Sequence, residues 1–131
     1  MTVTDDIAAL SEEFGHLETA DAAYRVLDEI QTLKARLAAA EITAVAAVAT
    51  RTLQANRPKR PPAPADLDGK PDFTQRALYS TLEAKLGQSF TQVRRMVRNS
   101  LYLTGELTDT LAAVRSGEIP VGHAHHIATQ H

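Results

Sequence analysis

From Ser80 to Leu103 the chain reads STLEAKLGQSFTQVRRMVRNSLYL. The spacing predicts two short helices joined by a tight turn. Leu82 and Leu86 stand four apart on one face of the first. Gly87 follows, where a helix end favours a residue that tolerates positive φ. Ser89 and Gln92 have the spacing of a capping box, in which each side chain bonds the other's backbone N–H. Val93, Met96, Val97 and Leu101 then recur at helical spacing and form an inward stripe. Gln92, Arg95, Asn99 and Tyr102 share another face, flanked by Arg94 and Arg98.

A helix, a Gly-containing turn and a capped, Arg-bearing helix are the parts of a helix-turn-helix DNA reader. A guanidinium matches guanine O6 and N7, and Asn or Gln pairs with adenine N6 and N7. Gln92, Arg94, Arg95, Arg98 and Asn99 are therefore the expected DNA-binding residues, with double-stranded DNA as partner. Glu83 stands where many such readers pack a small residue, usually Ala. A helical hairpin with a solvated basic face meets the same pattern without touching DNA.

Charge is distributed unevenly along the 131 residues. Met1 to Thr50 carries three basic residues against nine acidic ones, net −6. Arg51 to Gly105 carries ten against four, net +6, and the remainder is −2. A middle third this basic suits a polyanionic partner although the whole chain is −2. There are no cysteines, which excludes disulfides, thiolate metal sites and a Cys nucleophile. No apolar run approaches the ~20 residues of a membrane span. The start, MTVTDDIAAL, has neither the basic residues nor the apolar core of a secretory signal. These features fit a cytoplasmic protein with no membrane partner.

The fold expected is all-α: a long N-terminal amphipathic helix plus a C-terminal helical bundle holding the helix-turn-helix-like pair. Residues 1–56 form the N-terminal helical region, 57–72 a Pro-rich linker or loop, and 73–131 the helix-turn-helix-like region. Thr4 caps a short first helix with Ile7, Leu10 and Phe14 on its apolar side, and Gly15 ends it. Thr19 caps a second helix over about Ala20–Gln54. Leu27, Ile30, Leu33 and Leu37 mark its apolar side, continued by Ile42, Val45, Val48 and Leu53. That helix packs within its own chain or self-associates as a homodimer, the leucine spacing being compatible with a short heptad seam. Such an interaction module, without direct DNA contact, is the alternative function.

Five of the six prolines lie in RPKRPPAPADLDGKP, Arg57 to Pro71, which no helix can traverse. Asp72 or Thr74 starts the next helix. Leu107, Leu111 and Val114 mark another, closed by Ser116-Gly117, and Pro120 suits the first turn of the last. The end at His131 without a cap, Gly or polar tail leads to the expectation of a fragment of a longer protein. His123, His125, His126 and His131 have no Cys, Asp or Glu among them to complete a four-ligand zinc site, so no metal ligand and no cofactor is assigned. No nucleophile and base are nominated by spacing, and no catalytic residue is assigned.

From Ala77 to Ala128 the motifs combine in a recognisable way. They are Leu86-Gly87-Gln88-Ser89, the Arg-rich helix after it, LTDTLAAVRSGEI from Leu107 to Ile119, and His123-Ala124 with Ile127. The chain resembles the actinobacterial domain of unknown function that precedes HNH nuclease domains, including the mycobacterial thirteen-E-twelve repeat proteins. Its Leu107-Thr108 stands where that family often has Leu-Pro. The resemblance implies a non-catalytic helical module of an HNH-associated protein. Any endonuclease activity, and the divalent metal it needs, would belong to an HNH domain downstream, since nothing in these residues matches the HNH motif.

Overall fold

A computed structural model of the chain describes residues 2–14, 19–55 and 60–131, the first stretch without the side chains of Leu10, Ser11, Glu13 and Phe14. Among the described residues there are six α-helices, one 3-10 turn and no strand. The helices are α1 (Val3–Phe14), α2 (Ala20–Gln54), α3 (Phe73–Leu86), α4 (Phe90–Thr104), α5 (Thr108–Ser116) and α6 (Val121–Gln130). The all-α reading is correct, with the long N-terminal helix and the C-terminal bundle both present.

Local chemistry sets most of the helix ends. Thr19 Oγ1 accepts the Ala22 N–H at 3.1 Å and starts α2. Asp72 Oδ1 accepts from Gln75 at 2.8 Å and starts α3, so Asp72 rather than Thr74 is the cap. Gly87 ends α3 at φ +64°, a conformation that costs glycine nothing. Ser89 and Gln92 then form both bonds of the capping box, at 3.2 and 2.9 Å. Gly117 closes α5 at φ +83°. The first helix departs from expectation at its start. Thr2, not Thr4, accepts the Asp5 N–H, because the helix begins two residues earlier. Phe14 keeps its backbone place at the end of α1, while its side chain and Gly15 fall outside the described residues.

One apolar core joins α2 to the bundle. It gathers Ala39, Ile42, Val45, Ala46 and Ala49 of α2 with Leu78, Tyr79 and Leu82 of α3, and Val93, Met96, Val97, Leu101 and Leu103 of α4. Leu111, Val114, Ala124 and Ala128 complete it from α5 and α6. Four of the α2 residues in the core are no larger than valine, which lets α4 and α5 approach that helix closely. The Tyr79 and Phe90 rings meet edge-to-face at 5.4 Å and brace α3 against α4.

The leucine stripe of α2 is not the core stripe. Leu27 and Leu37 are 49% and 42% exposed, and Val48 is 45% exposed. The bundle covers this helix from about Gln31 onward, while α1 also packs on it, Arg36 and Asp6 approaching to 3.9 Å.

The Pro-rich segment also departs from expectation in its described part. Pro64–Leu67 forms a 3-10 turn, and Leu67 is 2% exposed within the core. Arg60 grips Asp66 with two bonds of 3.0 and 2.9 Å, and Asp66 also accepts the Ala63 N–H at 2.9 Å. Residues 60–72 are thus folded onto the bundle instead of hanging free. Arg57 and Lys59 lie outside the described residues.

Candidate nucleic-acid interface

A cluster of positive charge lies where the turn at Asp68-Gly69 meets α4. A groove there is lined by Asp68, Gly69, Arg94, Arg95, Arg98 and Asn99. It brings three guanidinium groups against one carboxylate. Lys70, exposed, continues the positive edge in sequence.

The three arginines do different work. The Arg94 guanidinium donates to the backbone carbonyls of Leu67, at 3.1 Å, and of Gly69. It clamps the turn to α4 and has spent part of its donor set on the fold. Arg98 Nε approaches Asp68 Oδ1 at 3.4 Å, and its guanidinium lies 4.8 Å over the Tyr102 ring. Its Nη donors make no hydrogen bond among the described residues. Arg95 is exposed, with no hydrogen bond or ion pair among the described residues.

Gln92 is exposed, but its Oε1 accepts the Ser89 N–H. Bidentate pairing with adenine needs both the oxygen and the NH₂ of the side chain. Reading a base that way would break the capping bond, so only the Gln92 NH₂ is free to act outward.

Asn99 is not on the exposed face. It is 1% exposed, and its Nδ2 is shared among His125 Nδ1 at 3.1 Å, the His125 carbonyl at 3.3 Å and Thr129 Oγ1 at 3.2 Å. The reason is that α6 packs over this part of α4, so a residue that continues the Gln92–Arg95 stripe by one more turn runs beneath it. With Ser100, Leu101 and Leu103 also buried, α4 is a core helix along its second half. Its exposed polar stripe is confined to the first two turns, at Thr91, Gln92 and Arg95, with Gln88 just before. Sequence spacing alone places Asn99 on that stripe; only the packing of α6 removes it.

His125 belongs to the same junction. Burial lowers the imidazole from its ordinary value, with Arg95 acting the same way and Glu41 opposing. His123 and His126 are exposed on α6, while His131 Nε2 meets Glu106 Oε2 at 2.7 Å and packs edge-on to Tyr102. Among the described residues no helix is long and apolar enough to cross a membrane.

Comparison with family models gives no match to the chain, and neither curated proteins nor solved structures give one. The thirteen-E-twelve resemblance accordingly rests on the sequence motifs alone.

Proposed function

We propose that this is a non-catalytic DNA-binding helical module, docking on the phosphate backbone through the groove between the Asp68-Gly69 turn and α4. The observation that carries the reading is the gathering of Arg94, Arg95 and Arg98 around one acidic side chain, Asp68. Phosphate oxygens are matched by guanidinium forks, and such contacts dominate affinity for duplex DNA. Arg95 supplies the free fork and Arg98 the half-committed one. Arg94 acts mainly by holding the turn. Gln88, Thr91 and the Gln92 NH₂ are the groups left to touch base edges at the α4 N-terminus, the end with which a recognition helix reads DNA.

This revises the interface expected from sequence: Asn99 drops out as a contact and acts as a structural residue, Arg94 serves mainly as a clamp, and Gln92 keeps only its NH₂ for DNA. In a longer chain of the HNH-associated kind, the module would hold a downstream nuclease domain on its substrate.

The test is binding of a mixed-sequence duplex at low salt. Arg95→Ala and Arg98→Ala weaken binding several-fold each, whereas Arg25→Ala on the acidic half leaves it unchanged. Equal binding by all three variants and the parent protein refutes the groove.

A further inference from the structure

Phe73 holds an aromatic ring in solvent between two cations. It is the first residue of α3 and is 79% exposed, the highest value among the large apolar side chains described. Its ring meets no other ring, and no cation lies over it among the described residues. Phe90, by contrast, is half-buried and packed edge-to-face on Tyr79. Arg76, three residues along α3, is exposed on the same side of the helix as Phe73. Lys70, three residues before Phe73, is exposed as well. Neither cation has an ion-pair partner among the described residues. Ala77, Ser80, Thr81 and Ala84 continue this exposed side of α3 without an acidic residue. The Asp72 carboxylate, next in sequence, is occupied with the Gln75 N–H. The ring also follows closely on the arginine groove. Gly69, whose carbonyl Arg94 holds, precedes Phe73 by four residues, so their Cα atoms are at most about 14 Å apart. That is the rise of about four nucleotides of one strand, at ~3.4 Å each.

We propose that Phe73 stacks on an unpaired base of a single-stranded extension leaving a duplex seated in the groove, with Lys70 and Arg76 on the adjoining phosphates. The inference rests on the groove reading above and adds the class of nucleic acid, duplex DNA with a single-stranded tail. A ring flanked by cations suits a polyanion that carries aromatic faces along its length. An intact duplex supplies phosphates to the arginines, but its base faces are covered by their stacked neighbours. An unpaired base offers its π-face, and an exposed aromatic side chain matches that face whatever the base. The cations at either side of the ring then neutralise backbone charge where the strand passes.

The chain has no tryptophan, so Phe73→Trp places a single fluorescent reporter at the ring. The full chain is titrated with a blunt duplex and with the same duplex carrying a tail of about ten thymidines. The tailed duplex quenches the Trp emission by stacking, and the blunt one leaves it unchanged. The parent protein and Phe73→Trp bind the tailed duplex about tenfold more tightly than the blunt one, within the range for one stacked base, and Phe73→Ala loses that gain. A Phe73→Ala variant that keeps the gain, Trp emission unmoved at saturation, or equal quenching by the blunt duplex would each overturn the proposal. The groove fails separately. Absence of blunt-duplex binding refutes it, and a thymidine oligomer alone then decides the role of Phe73, by quenching its Trp replacement or not.

Discussion

Asn99 of α4 and His125 of α6 are joined side chain to side chain, Nδ2 to Nδ1 at 3.1 Å, across 26 residues of sequence. The contact fixes more than one distance. Thr129 Oγ1 gives its proton to the His125 carbonyl at 2.8 Å, so the Asn99 amide faces two further acceptors and must present its NH₂ there. His125 Nδ1 is therefore the acceptor, and the ring is neutral with its proton on Nε2.

Asn99→Ala removes the amide that donates to His125 and Thr129 at this junction. Truncating one partner of a buried hydrogen-bonded group costs about 1–3 kcal/mol. Thermal or denaturant unfolding should show that loss. DNA affinity, measured where the variant is still folded, should change far less than for Arg95→Ala.

The same junction gives a pH dependence. Burial holds His125 below the ordinary imidazole value of about 6.5. The unfolded chain consequently takes up the proton first as pH falls. Above that value both states are neutral and the stability is complete; below it, stability declines until the folded imidazole also protonates. Glu41 opposes this shift and Arg95 reinforces it. Unfolding measured from pH 8 to 5 should show the decline, and His125→Gln should flatten it.

Arg94 and Arg95 are neighbours with opposite predicted phenotypes. Arg94→Ala frees the Leu67 and Gly69 carbonyls and should cost about 1 kcal/mol or more. Hydrogen exchange over residues 60–72 should rise in step. Arg95→Ala touches no bond of the fold and should leave stability within about 0.5 kcal/mol.

Leu67→Ala distinguishes a folded Pro-rich segment from a free linker. A buried Leu→Ala change costs about 2–5 kcal/mol, against nearly nothing for a solvated loop. Gly87→Ala isolates the turn: an added Cβ meets nothing within 4 Å, so its cost is conformational alone, about 1–2 kcal/mol.

The elements legible in the sequence are those whose signals act over three or four residues. Thr19, Asp72, Gly87, the Ser89–Gln92 box and Gly117 set helix ends by bonds to their near neighbours, and spacing reveals them. Which face each helix shows to solvent depends on distant partners. The Arg94 clamp on Leu67 spans 27 residues and the Asn99–His125 bond 26, and no local pattern encodes either. The same holds for α2. Its leucines carry the conspicuous period, yet alanines and valines form the packed side because α4 and α5 need small residues to come close. Of the five residues expected at the DNA face, the groove holds Arg95 and Arg98 as free or partly free donors, Arg94 as a clamp and Asn99 as a buried tie, while Gln92 caps α4 outside it with one free group.

The most direct test of the central claim is duplex affinity across a salt series, for the parent protein and for Arg95→Ala. The groove account predicts a linear fall of log K with log salt concentration, and a slope shallower by about 1 for Arg95→Ala with no loss of stability. A slope unchanged by the substitution, or no binding at low salt, would contradict it.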